Sequence, residues 1–355
     1  MTQQVSDQHL SVARRIIQEM FAVKPGETIA ITADDGSDAE MVQAFYLAAV
    51  EVDAKPLVLQ FRQATNNGQA GMPDWPAEAL EAALKHVDVW IEYNEAFMLY
   101  SSLWERVMKE NDTIRYNVFA GSSVDSLERV FCNYDIAKME NVLKTMADFA
   151  ATTKTVRVKS ANGTDVTYET TPDDTIDYDS GDFSTKKFGT APGYLNLVPK
   201  TGTMQGNIVF DMIMHVDLFK GGHVEFIMQD GKIVDYKGEE SKVLRDYIAS
   251  FNEENMSKIS HMMIGLCPGV RELSWEIVED ERIWGGVDFG FGHTSPMDMP
   301  PHGQTASSHF DGISSKATVW FDDKLVVENG VIVLEAVKDD AAAILKEYDA
   351  NVGPA

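Results

Sequence analysis

Four of the chain's eight histidines, His261, His293, His302 and His309, fall between residues 261 and 309. Imidazole is the commonest metal ligand among side chains, so this concentration flags a metal site. His293 and His302 also suit ordinary surface loops. The sharper pattern is Ser308-His-Phe-Asp-Gly312. Written as a strand, it puts His309 and Asp311 on one face, because side chains alternate. His261, entering from the other side of a hairpin-like excursion, would complete a set of two imidazoles and one carboxylate. Gathered on one side of a metal ion, such a set leaves positions open for substrate and dioxygen, as in non-haem Fe(II) oxygenases. His-x-Asp is a short motif, and alone it equally fits a polar strand end.

These residues need rigid elements behind them, and the texture of the chain changes once along its length. The first part alternates helix and strand patterns. Ser6 or Asp7 caps a helix with apolar positions at Leu10, Ala13, Ile16, Ile17 and Met20. Strands are expected at 28–32, 56–61, 87–91 and 115–119, with helices at 39–51, 76–85, 100–109 and 137–150. Strands separated by helices of that length imply crossovers and a mostly parallel sheet. From residue 155 the pattern has period two, with Asn162-Gly163 marking a hairpin between 155–159 and 165–169. Further strands are expected at 206–211, 223–228, 230–236 and 317–321, interrupted by one helix at 241–252. The reading is an α/β domain over 1–152 with a mostly parallel sheet, then an antiparallel-rich α+β metal-binding domain over 153–355.

Composition limits the partners. Lys and Arg total 30 against 56 Asp and Glu, a formal net charge of −26 in 355 residues. Nucleic acid and anionic membrane surfaces both require a cationic face, so neither is an expected partner. Two cysteines, Cys132 and Cys267, are too few for a disulfide framework. The first residues lack the basic and apolar regions of a secretory signal, and no run reaches the roughly 18 apolar residues of a membrane span. A cytoplasmic protein is expected. No GxxxxGK[ST] loop, HExxH helix, GxSxG elbow or paired CxxC occurs. The glycines of 189–206 are not in dinucleotide-binding spacing after a strand.

Longer stretches carry a resemblance. Ile259-Ser-His-Met-Met-Ile-Gly-Leu-Cys-Pro268, Val287-Asp-Phe-Gly-Phe-Gly292, and Ser308-His-Phe-Asp-Gly312 followed by 319–327 form one series. It is similar to the C-terminal metal domain of the superfamily holding the aminopeptidase T/S metallopeptidases and the iron-dependent 2,5-dihydroxypyridine 5,6-dioxygenases. Asn207-Ile-Val-Phe-Asp211 and 226–233 match strands of the same group. The likeness covers about 190–335, and in 1–150 extends only to element order. The peptidase branch implies glutamate ligands. Here 191–199 holds no glutamate, and His261 stands where the peptidases have the other. The dioxygenase branch has histidine there and shares the His-x-Asp pair. The resemblance therefore implies metal binding by His261, His309 and Asp311.

It also exposes departures. A serine ligand of those dioxygenases falls at Gly290 here. Asp288 is the first candidate to replace it, with His293, Ser295 or water as alternatives. A substrate-facing histidine of the first domain is replaced by Tyr100, and another is absent around 189–193. Tyr100 and Tyr194 are the candidate catalytic side chains, and Phe97 and Phe310 the candidate apolar walls. The implied activity is ring cleavage by O₂ of a small hydroxylated N-heterocycle or aromatic, with Fe²⁺ as cofactor. The alternative is an aminopeptidase T/S-like hydrolase using Zn²⁺ or Co²⁺, and a metal-free binding protein is a third reading. By analogy with the resembling enzymes a homo-oligomer is expected, with 212–214 and 297–301 as candidate contact segments.

Overall fold

A computed structural model describes residues 5–170, 176–185, 187–296 and 299–352. The chain divides into two compact units, one of Met1–Ile136 with Gly181–Pro192, the other of Ala137–Ser180 with Gly193–Ala355. Sequence reading places a single break between residues 152 and 153. The helix Ile136–Ala150 runs into the second unit because its contacts are there: Phe149 stacks on Phe321, and Lys138 and Asn141 bond Glu347 and Asp340 of the helix Lys338–Val352. The short strand Lys187–Gly189 belongs to the first unit, where it pairs with Arg115–Val118.

The first unit is built on a parallel sheet ordered Lys55–Gln60, Thr28–Ala33, Val89–Glu92, Arg115–Val118, Lys187–Gly189. Thr28–Ala33 and Val89–Glu92 are buried almost throughout, as strands covered on both faces must be. Oxygen atoms of Ser6, Asp38, Ser101 and Ser123 cap four helices by accepting N–H bonds from the first turn. The last of these, Val124–Phe131, was not expected from the sequence. Its two turns are too short for periodicity to stand out, although Leu127, Val130 and Phe131 are all buried.

The second unit holds two antiparallel sheets. The eight-stranded one runs from Lys232–Lys237 at one edge to Val331–Ile332 at the other, with the Asn162-Gly163 turn joining its strands Thr155–Ser160 and Asp165–Glu169. The six-stranded one is ordered Met212–Ile213, Gln304–Ser314, Val287–Thr294, Ile259–Gly265, Tyr194–Leu197, Ile176–Asp179. Phe289, Phe291 and Phe310 project from one face of that sheet onto Phe210 and Phe226 in an edge-to-face and stacked cluster. Alternation leaves residues 288, 290, 309 and 311 on the opposite face. No helix among the described residues is long and apolar enough to cross a membrane. Cys132 and Cys267 are buried thiols.

Candidate metal centre

Three adjacent strands set the centre by register. His261 pairs with Gly290, and Gly290 pairs with Asp311, so the three occupy one rung across the sheet. A side chain at the middle position would obstruct the rung. A Cβ on Gly290 would lie 2.3 Å from His261 Cε1, and 2.7 Å from each ring nitrogen. The glycine lets the imidazole lie across its strand, with Nε2 3.6 Å from Asp311 Oδ1. His309, two residues along from Asp311, brings its own Nε2 to 2.9 Å from the same oxygen. The two rings stack at 5.2 Å between centroids. Ligand atoms of His261, His309 and Asp311 all lie within 4.8 Å of one another.

Surrounding groups orient these side chains. His309 Nδ1 is 2.7 Å from the carbonyl oxygen of His293, an acceptor that assigns the proton to Nδ1 and turns Nε2 toward Asp311. His261 Nε2 also meets Asp288 Oδ2 at 2.9 Å. Asp288 is fully buried, and its Oδ1 is a buried oxygen without a hydrogen-bond partner among the described residues. Glu281 and Arg282 stand close enough for their charges to act on Asp288, Asp311 and His309.

The electrostatics follow from this crowding. Burial, then repulsion from Asp311 and Glu281, holds the Asp288 carboxyl well above the ordinary range. Burial likewise pushes His261 down to about 4, against the attraction of Asp311. Burial also opposes charge on His309, but the Asp311 carboxylate beside it prevails and raises it to about 9. Burial would raise Asp311, but His309, then His261 and the guanidinium of Arg282, outweigh it and hold the carboxyl low. Three carboxylates thus crowd two imidazoles and one arginine, with Asp288 and Asp311 buried and the two rings partly exposed.

The structure brings together His261, His309, Asp311 and Asp288. The other expected residues each have a place within their own unit. His293 contributes its carbonyl, and His302 is exposed in the turn before Gln304–Ser314. Ser295 is buried just beyond the strand Val287–Thr294. Tyr194 pairs with Gly265, four residues along the strand from His261; its hydroxyl donates to Asp177 and the Arg282 guanidinium lies over its ring. Tyr100 belongs to the first unit, where it adopts a left-handed φ of 64° and packs edge-on against Trp104. Phe97 packs against that unit's core, and Phe310 fills the second unit's core on the face opposite Asp311. Met212 and Ile213 are buried within the chain, while Met297 and Asp298 lie outside the described residues. Sequence reading missed Glu281 and Arg282, which sit in an acidic run, 279–282, with no periodic signature.

Fold and site together define a two-unit α/β and antiparallel-sheet protein whose second unit gathers two histidines and acidic side chains on one sheet face. Across residues 12–334 the chain matches the family of 2,5-dihydroxypyridine 5,6-dioxygenases, and it belongs to that family. The solved 2,5-dihydroxypyridine dioxygenase from Pseudomonas putida KT2440 is similar, with a TM-score of 0.78 at 20% identity over 94% of this chain and 100% of that one. Wild-type AmpT from Thermus thermophilus gives a TM-score of 0.68 at 12% identity over 92% and 99%. Both likenesses are of fold. None of the curated proteins matches the chain.

Proposed function

We propose that this dioxygenase-family protein is a non-haem Fe(II)-dependent enzyme that cleaves the ring of a small hydroxylated N-heterocycle or aromatic with O₂. The second unit is then its metal-binding catalytic domain. The observation that carries the reading is the convergence of His261, His309 and Asp311 within 4.8 Å, across a strand that has glycine where a side chain would block it. A ligand set of this kind spans about two metal–donor bonds of ~2.0–2.2 Å each. The residues present fit a cation in two further respects. The buried carboxylates of Asp288 and Asp311 call for positive charge, and Asp288 Oδ1, with no hydrogen-bond partner among the described residues, offers a further donor.

In this reading His261, His309 and Asp311 are the ligands and Asp288 the fourth. The His293 carbonyl fixes the His309 ring, and Glu281 with Arg282 sets the local charge. Bound iron supplies the activation of O₂ toward an electron-rich ring. The protein's share is to hold neutral imidazoles toward one point, keep the carboxylates dry and leave one side of the point open. An aminopeptidase-like Zn²⁺ or Co²⁺ hydrolase would use paired metals bridged by carboxylates, and 191–199 holds no glutamate to serve.

Anaerobic loading with Fe²⁺, metal analysis and oxygen uptake against a panel of hydroxypyridines and catechols test the reading. One iron per chain and substrate-dependent O₂ consumption are expected. Peptide hydrolysis by the Zn²⁺- or Co²⁺-loaded protein, without O₂ uptake by the iron form, would overturn it.

A further inference from the structure

The parallel sheet of the first unit ends at an unpaired edge. Its outermost strand, Lys55–Gln60, has Thr28–Ala33 as its one neighbour among the described strands. Lys55 and Phe61 donate their N–H groups to the carbonyls of Glu27 and Ala33. A strand directs its backbone groups to either side in alternation, so the N–H groups of Val58 and Gln60 and the carbonyls of Pro56 and Val58 point away from the sheet. Such a row is a ready template for another strand, and native edges are blunted by charge, proline or cover. Here residues 56–61 carry no charge, and Pro56 alone withholds a donor.

The side chains beside this edge are apolar where water would favour polar ones. Tyr46, Val50, Leu57 and Val58 are each more than a third exposed. Tyr46 and Val50 lie one turn apart on the helix Ala39–Glu51, which has no charged residue from Met41 to Val50. A surface helix normally turns a charged or polar face to water. This helix joins the two outermost strands and packs on both. Its Phe45 meets Tyr93, which alternation sets on the face opposite Trp90, whereas Leu59 packs on the cluster around Trp90. Val58 therefore lies on the helix side, with Leu57 and Leu59 on the other, and apolar surface continues round the edge. The formal charge of the whole chain is −26, yet residues 54–64 hold Lys55 and Arg62 and no acid. Copies of so acidic a chain repel each other except where acids are missing.

We propose that this edge and the outer side of the helix form a two-fold contact with a second copy of the chain, in which the strands Lys55–Gln60 pair antiparallel about Val58. In that register each Val58 exchanges both backbone bonds with its mate, and each Gln60 N–H reaches the Pro56 carbonyl of the other copy. The bonds lost are those for which Pro56 has no donor. Val58 meets Val58, Leu57 meets Leu59, and Arg62 comes opposite Ala54, beside the acid Asp53. A shift to a neighbouring register would set Val58 against Gln60 or Pro56 instead. The helices fit as well. A helix centred over the outer two strands stands about one strand spacing from the axis. The two helices then lie ~9.6 Å apart, within the roughly 8–10 Å of packed helices. The partner is a copy of this chain because the strand complements itself in apolar contact, charge and bonding, and an isologous contact closes after two.

Mass by light scattering and covalent capture of the full chain test the contact. The parent should scatter as twice 39.4 kDa or an even multiple of it. Val58→Pro removes an N–H that Thr28–Ala33 does not use, and Val50→Glu places an acid in the acid-free contact. Each should halve the mass with far-UV circular dichroism unchanged; where one variant loses its fold, the other and the cysteine variants decide. Single cysteines fix the register. The Cα atoms of the two Val58 residues stand ~5.5 Å apart, within disulfide reach, and those of the two Leu57 residues ~8 Å apart, beyond it. Val58→Cys should therefore link into a covalent dimer under diamide and Leu57→Cys should not, Cys132 and Cys267 being buried. A parent of 39.4 kDa overturns the proposal. So does a folded Val58→Pro or Val50→Glu variant that keeps the parent's mass, and so does a link at residue 57 or the lack of one at residue 58. Metal uptake enters none of these readings, so their failure leaves the iron reading standing.

Discussion

Gly290→Ala isolates the geometric argument for the centre. The backbone at Gly290 is not left-handed, so alanine suits it locally, and the nearest obstacle is the imidazole of His261. The new Cβ would stand 2.3 Å from Cε1, whereas carbon atoms in contact sit about 3.5–4.0 Å apart. The ring must therefore withdraw by more than ~1 Å. Metal–ligand distances tolerate about ±0.2 Å, so His261 leaves the coordination sphere. Outer-shell changes cost roughly 10–100-fold in metal affinity, and loss of a ligand should reach at least the upper figure, ~2.7 kcal/mol. Thermal unfolding with metal at about 1,000 times the parent Kd gives the parent ~4.1 kcal/mol of stabilisation. The variant, then at about ten times its own Kd, keeps roughly 1.4 kcal/mol by the same relation. Chelator competition measures the affinity directly. A double-mutant cycle with His261→Ala sharpens the result, since once the ring is gone the extra methyl should cost nothing more. Metal affinity within threefold of the parent in Gly290→Ala, or additive losses in the cycle, would refute the reasoning.

Four further outcomes are expected. His309→Ala should abolish metal retention by atomic absorption while leaving far-UV circular dichroism unchanged, since the ring serves as a donor and not as core packing. Asp288→Asn should lower metal affinity roughly 10–100-fold and leave the metal-free urea midpoint unchanged or higher, because a buried, raised carboxyl is removed; unchanged affinity would mean that water fills the fourth position. Glu92, buried in the first unit beneath Tyr116 and Asn94, is raised by burial from the ordinary 4.5 to about 7. Its folded form binds the proton more tightly, so metal-free stability should fall by up to about 3 kcal/mol as pH rises from ~4.5 through ~7; urea midpoints of Glu92→Gln should be flatter across that window. Light scattering should give a multiple of the 39.4 kDa chain mass, and a monomer would remove the expectation of an oligomer.

How much of this was legible in the residues depends on whether the cause was local. The helix–strand alternation of the first 150 residues and the period-two texture after 155 come from burial periodicity, which each segment carries in itself. Asn162-Gly163 is visible because a tight turn demands those residue types. The His309-x-Asp311 face follows from strand alternation alone. The strand Lys187–Gly189 was not legible: three residues have no period, and its pairing with Arg115–Val118 is decided by tertiary contact. Glu281 and Arg282 act through charge across space, and nothing in 279–282 marks which acid turns inward. Phe310 was a candidate wall by its neighbours in sequence, but alternation sends it to the face opposite Asp311.

Gly290 shows best how the two levels meet. By resemblance it stands where the dioxygenases carry a serine ligand, and read alone it is a donor lost. In the folded chain the vacated volume is where the His261 ring lies, with its Nε2 reaching Asp288 on one side and Asp311 on the other. Asp288 shares the face and the strand of Gly290, two residues earlier, and presents a buried oxygen with no partner among the described residues. A centre that exchanges a neutral hydroxyl for a carboxylate gains negative charge, and a dry site tolerates that charge only when a cation or a proton compensates. The raised carboxyl of Asp288 is the proton's solution in the absence of metal. Metal binding should therefore expel that proton. Titration of the metal-free protein with Zn²⁺ in buffers of differing ionisation enthalpy would count the protons released. Asp288→Asn is expected to release about one fewer per ion than the parent. Equal release from both would show that Asp288 stays outside the sphere, with His261 keeping it as a hydrogen-bond partner only.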